Sequence, residues 1–122
     1  GFMYITSKLE SARGINYDMV GFIEGHCYKM EQLNRFGYAE ITINKPSVFG
    51  EKGVSFKAHE FHYWDSTNNG EDAIAVKPLS QKSWKCVHTD ENMYAGFPHL
   101  YFYSNIEAVY NFLKKCGEKS AK

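Results

Sequence analysis

No apolar run in this sequence approaches the length of a membrane span, and no signal peptide is visible. Neither sign of charge is in excess. Fourteen basic residues balance fourteen acidic ones, giving a formal net charge of zero, which argues against a nucleic-acid or anionic-membrane partner. Cysteine is scarce. Cys27, Cys86 and Cys116 are an odd count with no Cys-x-x-Cys spacing, which speaks against a disulfide framework or a zinc ribbon and fits a reducing, cytoplasmic setting with three free buried thiols. There is no Gly-x-Ser-x-Gly, no phosphate-binding glycine loop, no paired-carboxylate motif and no internal repeat.

What is abundant is aromatic. Nine Tyr and nine Phe help bring the aromatic share to 16% of 122 residues, a length that suits one domain whose core, or site, is built largely from rings. The spacing of Phe2–Leu9 predicts a short helix, entered with neither an initiator Met nor an N-cap residue, as in a piece of something longer. Met19–Ile23 reads as a buried strand, 26–34 as a connector, and Gly37–Ile43 as a strand ended by Asn44-Lys45-Pro46. Gly50–Gly53 reads as a turn, Val54–Trp64 as a strand, Asp65–Asp72 as a loop, and Ala73–Val76 and Trp84–Val87 as further strands. Ser104 and Glu107 fit a capping box for a last helix. Its expected apolar stripe is Ile106, Val109, Tyr110 and Leu113, with Lys114 and Lys115 in the last turn and Gly117 just past it.

Two stretches carry chemistry. Met93–Asn105 is an aromatic run with a single imidazole, His99, near the end of an expected strand that feeds straight into the helix. A histidine held there suits a base, and the alternative is an ordinary core histidine. The second stretch is His59-Glu60-Phe61-His62. On a strand His59, Phe61 and Tyr63 share one face while Glu60, His62 and Trp64 share the other, so His59 and His62 cannot jointly ligate an ion. Glu60 and His62 form the more informative pair, because a carboxylate beside an imidazole fixes its tautomer.

Taken together, Gly1-Phe2-Met3-Tyr4-Ile5, Met19–Gly25, Gly37-Tyr38, His59-Glu60-Phe61-His62-Tyr63 and Ala95–Phe102 resemble the C-terminal part of the glutaminase domain of the cobyrinic acid a,c-diamide synthases. These are class I glutamine amidotransferases of the cobyric acid synthase type, and the resemblance covers nearly the whole chain. It implies an α/β fold, α+β in this stretch, with a mixed, mostly antiparallel sheet and a C-terminal helix, over a partial amidotransferase domain spanning 1–122. It implies that Gly1–Ile5 matches the end of a Cys-Gly-Gly-Leu-Met-Tyr-Leu-like elbow, so that the nucleophilic cysteine falls ahead of Gly1 and none of the three cysteines present replaces it. His99 matches the histidine that activates that cysteine, and Glu60 and His62 match family positions of uncertain role. Tyr101 stands where a second histidine is common, and Phe97 and Pro98 also depart from the usual pattern.

The resemblance further implies glutamine as substrate, and ATP, Mg²⁺ and a tetrapyrrole carboxylate in a synthetase domain outside this sequence. The chain alone is then expected to be inactive, to require no cofactor of its own, and to self-associate through exposed apolar edges. A sirohydrochlorin-type diamide synthase is the near alternative. A β-rich ligand-binding module with a closed aromatic pocket is the distant one, whereas an amidotransferase piece should leave His99 facing an open gap near Gly1.

Overall fold

The computed structural model describes residues 1–120. A four-residue helix, α1 (Phe2–Ile5), leads into β1 (Thr6–Glu10), β2 (Asn16–Asp18), β3 (Ile23–Lys29), β4 (Gly37–Ile43), β5 (Ser55–Glu60) and β6 (Trp64–Ser66). Then follow β7 (Ala73–Val76), β8 (Ser83–Cys86), β9 (His88–Thr89), β10 (Tyr94–Ala95) and β11 (His99–Leu100). A 3-10 turn at Phe102–Ser104 precedes the long helix α2 (Ile106–Ser120). No helix among the described residues is long and apolar enough to cross a membrane.

The strands form a five-stranded antiparallel sheet in the order β11-β5-β4-β7-β8, a four-stranded sheet in the order β2-β1-β3-β6, and a β10-β9 ribbon. Among the described strands only the β1–β3 pairing is parallel. The fold is therefore mixed α+β, mostly antiparallel with a C-terminal helix, as the sequence leads one to expect. Alternation explains the larger sheet. Ala39, Ile41 and Ile43 of β4, Phe56 and Ala58 of β5, and Ala73 and Ala75 of β7 all point inward and are buried. Val48, Phe49 and Ala108 of α2 close the same core, with Phe112 packed against it. A smaller cluster joins Phe2, Ile23, Ala95 and Phe97.

Several elements differ from the sequence reading. The helix expected over Phe2–Leu9 stops at Ile5, where the β-branched Thr6 begins β1 and its hydroxyl turns back to the Met3 carbonyl at 2.7 Å. Val20 and Phe22 lie exposed, and the strand expected at Met19–Ile23 instead runs from Ile23 to Lys29, inside the stretch read as a connector. Its inward Cys27 is completely buried, and an irregular register against β1 obscures the period. The strand read over Val54–Trp64 breaks after Glu60, and β6 joins the other sheet.

The last helix starts one residue later than the capping box predicts. Asn105 is the cap, its Oδ1 accepting the Ala108 N–H at 3.1 Å. Ser104 is instead committed to the sheet: its hydroxyl accepts the Lys57 N–H at 2.9 Å and donates to the Tyr101 carbonyl. The inward stripe is Ala108, which is buried, with Val109 and Phe112 partly buried beside it, and Ile106, Tyr110 and Leu113 are exposed. The helix also runs through Gly117 rather than ending before it. Cys116 is exposed, unlike the other two thiols.

One turn is fixed by close approach of the backbone. Gly70 sits at φ +87°, and a Cβ there would lie 2.2 Å from the Val87 carbonyl oxygen, across an isolated bridge between the two residues. Gly53 also has positive φ, at +102°, but faces open space. In urea unfolding, Gly53→Ala is expected to cost about 1 kcal/mol from backbone strain alone. Gly70→Ala is expected to cost more than twice that, because the Val87 backbone must move as well; equal midpoints would show that the loop yields.

Candidate functional site

His99 is the first residue of β11, at the edge of the five-stranded sheet, where it pairs in register with His59 of β5. Its side chain is exposed and stands at the mouth of a cavity of about 490 Å³ that opens to solvent. Gly1 and Phe2 line one side of that cavity. Met93, Tyr94, Gly96 and Pro98 line another, and Phe49, Phe102 and Phe112 form its apolar floor. The space beside His99 is thus an open gap bounded by the start of the chain, not a closed aromatic pocket.

The His99 proton affinity is held below the ordinary histidine value. Partial burial is the largest cause, followed by the neighbouring His59 and then His62, with Glu60 acting in the opposite sense. The sign follows directly. The unfolded chain takes up this proton at the usual pH and the folded chain resists it, so the contribution is complete above the ordinary histidine value and is lost as pH falls below it. At neutral pH the imidazole is free to accept a proton.

Glu60 and His62 meet, but not at the cavity. Glu60 is the last residue of β5 and points inward, 3% exposed. Its Oε1 lies 2.9 Å from His62 Nε2, and its Oε2 accepts the Trp84 indole N–H at 3.2 Å. His62 Nδ1 is 2.6 Å from the Trp64 carbonyl, which can only accept, so Nδ1 carries a proton. The Nε2 contact is then made by an imidazolium facing a carboxylate, or by a neutral ring accepting from a carboxylic acid, and the pair is neutral overall in both cases. Neither residue lines the cavity.

Their link to His99 runs through Phe97. The His62 ring stacks on Phe97 with centroids 4.0 Å apart and planes within 10°, and Phe97 meets Phe2 edge to face at 4.9 Å. Phe97 is two residues ahead of His99, and the Tyr94 hydroxyl donates to the intervening Pro98 carbonyl at 3.1 Å. Burial drives the Tyr94 phenol far above its usual range, so it stays a donor. The sequence reading singled out His99, Glu60 and His62 but not Tyr94, Trp84 or the His59–His99 pairing. The alternation that put His59 and Phe61 on one face was the available signal for the last.

His59 and His62 diverge, one outward and one inward, and no group of three metal-ligating side chains gathers among the described residues. Nor does a thiol reach His99. Cys27 lies against the Thr6 hydroxyl at 3.5 Å, Cys86 is walled in with its thiol pushed up to about 12 by burial and by Glu60, and Cys116 is on the outer part of α2. With an aromatic disulfide reagent, only Cys116 is expected to react quickly in the native chain, and Cys27 and Cys86 only after denaturation. Rapid native reaction of two or more thiols would contradict this packing.

No protein-family model matches the chain. Curated relatives do. The cobyrinate a,c-diamide synthase of Caldanaerobacter subterraneus is 32% identical over 124 residues, covering 100% of this chain and 27% of its own length. That of Priestia megaterium is 33% identical with 100% and 26% covered, and that of Clostridium acetobutylicum 29% identical with 93% and 26% covered. The chain therefore spans about a quarter of the length of the relatives it matches. The similarity runs from end to end of this chain and recurs with one printed name, so the chain matches a stretch of about a quarter of the cobyrinate a,c-diamide synthases.

Proposed function

We propose that this chain supplies the base histidine of a glutaminase site within a cobyrinate a,c-diamide synthase, an enzyme of cobalamin biosynthesis. The observation that carries the reading is His99: an exposed imidazole, unprotonated at neutral pH, beside an open cavity that the first residues of the chain also line. A cysteine just ahead of Gly1, at the start of the elbow whose end Gly1–Ile5 matches, would enter beside that ring. None of the three thiols present fills the role.

The chemistry follows from the placement. His99 takes the proton of the incoming thiol, and the thiolate sulfur attacks the side-chain amide carbon of glutamine. Backbone N–H groups of the elbow hold the resulting oxyanion. The protonated imidazole returns its proton to the amide nitrogen, the C–N bond breaks and ammonia leaves. Water then adds to the thioester with His99 again as base, releasing glutamate and the thiol. Glu60 and His62 act from behind Phe97, holding the backbone that presents His99 rather than touching glutamine.

The released ammonia would amidate carboxylates of a tetrapyrrole in a domain that uses ATP and Mg²⁺. The residues of this chain do not fit that pair: the sequence has no phosphate-binding glycine loop, and no three metal ligands cluster among the described residues. No step is assigned to ATP or Mg²⁺ within this chain.

In the complete glutamine-dependent enzyme, His99→Ala is expected to lower glutamine-driven turnover by about 10²–10⁴-fold while leaving ammonia-driven amidation in place. The isolated chain should hydrolyse no glutamine. The acid limb of glutaminase kcat/KM should lie below the ordinary histidine value of 6.5. Equal loss of the glutamine- and ammonia-driven reactions in His99→Ala would refute the assignment.

A further inference from the structure

We propose that His59 is a positioning residue for His99: its ring, directly across the β5–β11 pair and backed by Phe61, clamps the His99 imidazole in one orientation at the mouth of the cavity. The inference rests on the reading of His99 as the base and extends it to a second histidine.

Three observations carry it. The first is register. His99 and His59 are direct partners in neighbouring antiparallel strands, which puts their side chains on the same face. The second is ring geometry. The imidazole centroids are 5.1 Å apart with planes 24° from parallel, and His59 also lies 5.0 Å from the Phe61 ring at 33°. Phe61 is held in turn, edge-on, by Phe36 at 4.9 Å and by Tyr38 at 5.7 Å. A continuous row of rings thus ends on His99.

The third observation concerns what else fixes that ring. Among the described residues His62 and His88 are tied through their ring nitrogens, whereas the rings of His59 and His99 have no hydrogen-bond partner. Stacking is what remains to orient His99, and it leaves both of its nitrogens free for a thiol and for water. Near-parallel imidazoles also hold their in-plane lone pairs in near-parallel planes, which suits bracing better than chelation of one ion.

Charge adds a second effect of the same contact. The charged and titratable side chains around His99 are His59 and Glu60 from β5 and His62 from the loop after it. His59 is the largest of these in disfavouring a proton on His99. His59 thus helps to keep the proton off His99 through the same contact that orients its ring.

Two variants separate the ring from its charge. His59→Ala removes both, and His59→Phe keeps a flat ring without a titratable group. Imidazole titration by NMR in the full chain should show the His99 midpoint moving up toward the ordinary value in both variants. In the complete enzyme, His59→Ala should lower glutamine-driven kcat by about tenfold with KM for glutamine little changed. His59→Phe should recover most of that kcat while its acid limb stays displaced to higher pH.

An unmoved His99 midpoint together with parental kcat in both variants would overturn the inference. His59→Phe keeps the test open should His59→Ala fail to fold. A glutaminase that survives His99→Ala overturns instead the reading of His99 as base. One that dies with His99→Ala yet ignores both His59 variants overturns the positioning role alone.

Discussion

The two-residue period of β5 is the constraint on which the rest of this structure depends. Phe56, Ala58 and Glu60 must face inward, so Lys57 and His59 must face out. A slip of one residue would drive Lys57 and His59 into the core and expose Phe56, which is 1% exposed. Burying a side chain of that size stabilises by about 1.5–3 kcal/mol, and Ile41, its partner across β4, is fully buried as well. The core therefore sets the register of β5. Because β11 pairs on β5, the position of His99 is inherited from apolar packing on the opposite face of the sheet.

Much of this was legible in the sequence, and the failures have physical causes. Gly37–Ile43 and Ala73–Val76 were readable to the residue because one face is buried and alternation is clean. Ile23–Lys29 was not, since Gly25, His26 and Lys29 interrupt the apolar pattern and only Ile23 and Cys27 are buried. In α2 the periodicity announced a helix but not which stripe would be covered. Ile106, Tyr110 and Leu113 look the more apolar, yet Ala108 and Phe112 pack inward because Asn105 and Asn111 anchor the helix to the Ser55 and Phe49 carbonyls. Ser104 lost its capping role to the Lys57 amide for the same kind of reason: a partner distant in sequence outcompeted a local one.

The site shows the same division. Alternation correctly suggested that Glu60 and His62 meet, but the strand ends at Glu60 and the contact is made across the bend that follows. Their separation from the cavity could not be inferred, because it depends on Phe97, which is far away in sequence and stacks over His62. A buried carboxylate is costly unless fully partnered. Here both oxygens are met, by His62 and Trp84, and the neutral pair becomes a firm seat for the aromatic ring above it.

The brevity of β11 has a consequence for solubility. An outermost strand normally exposes a ladder of unpaired amides and carbonyls that invites another polypeptide to add itself. At His99–Leu100 that ladder is only two residues long before Tyr101 and the 3-10 turn carry the backbone away. The imidazole therefore stands at the rim of the sheet, on an edge that offers an incoming strand a ladder of only two residues.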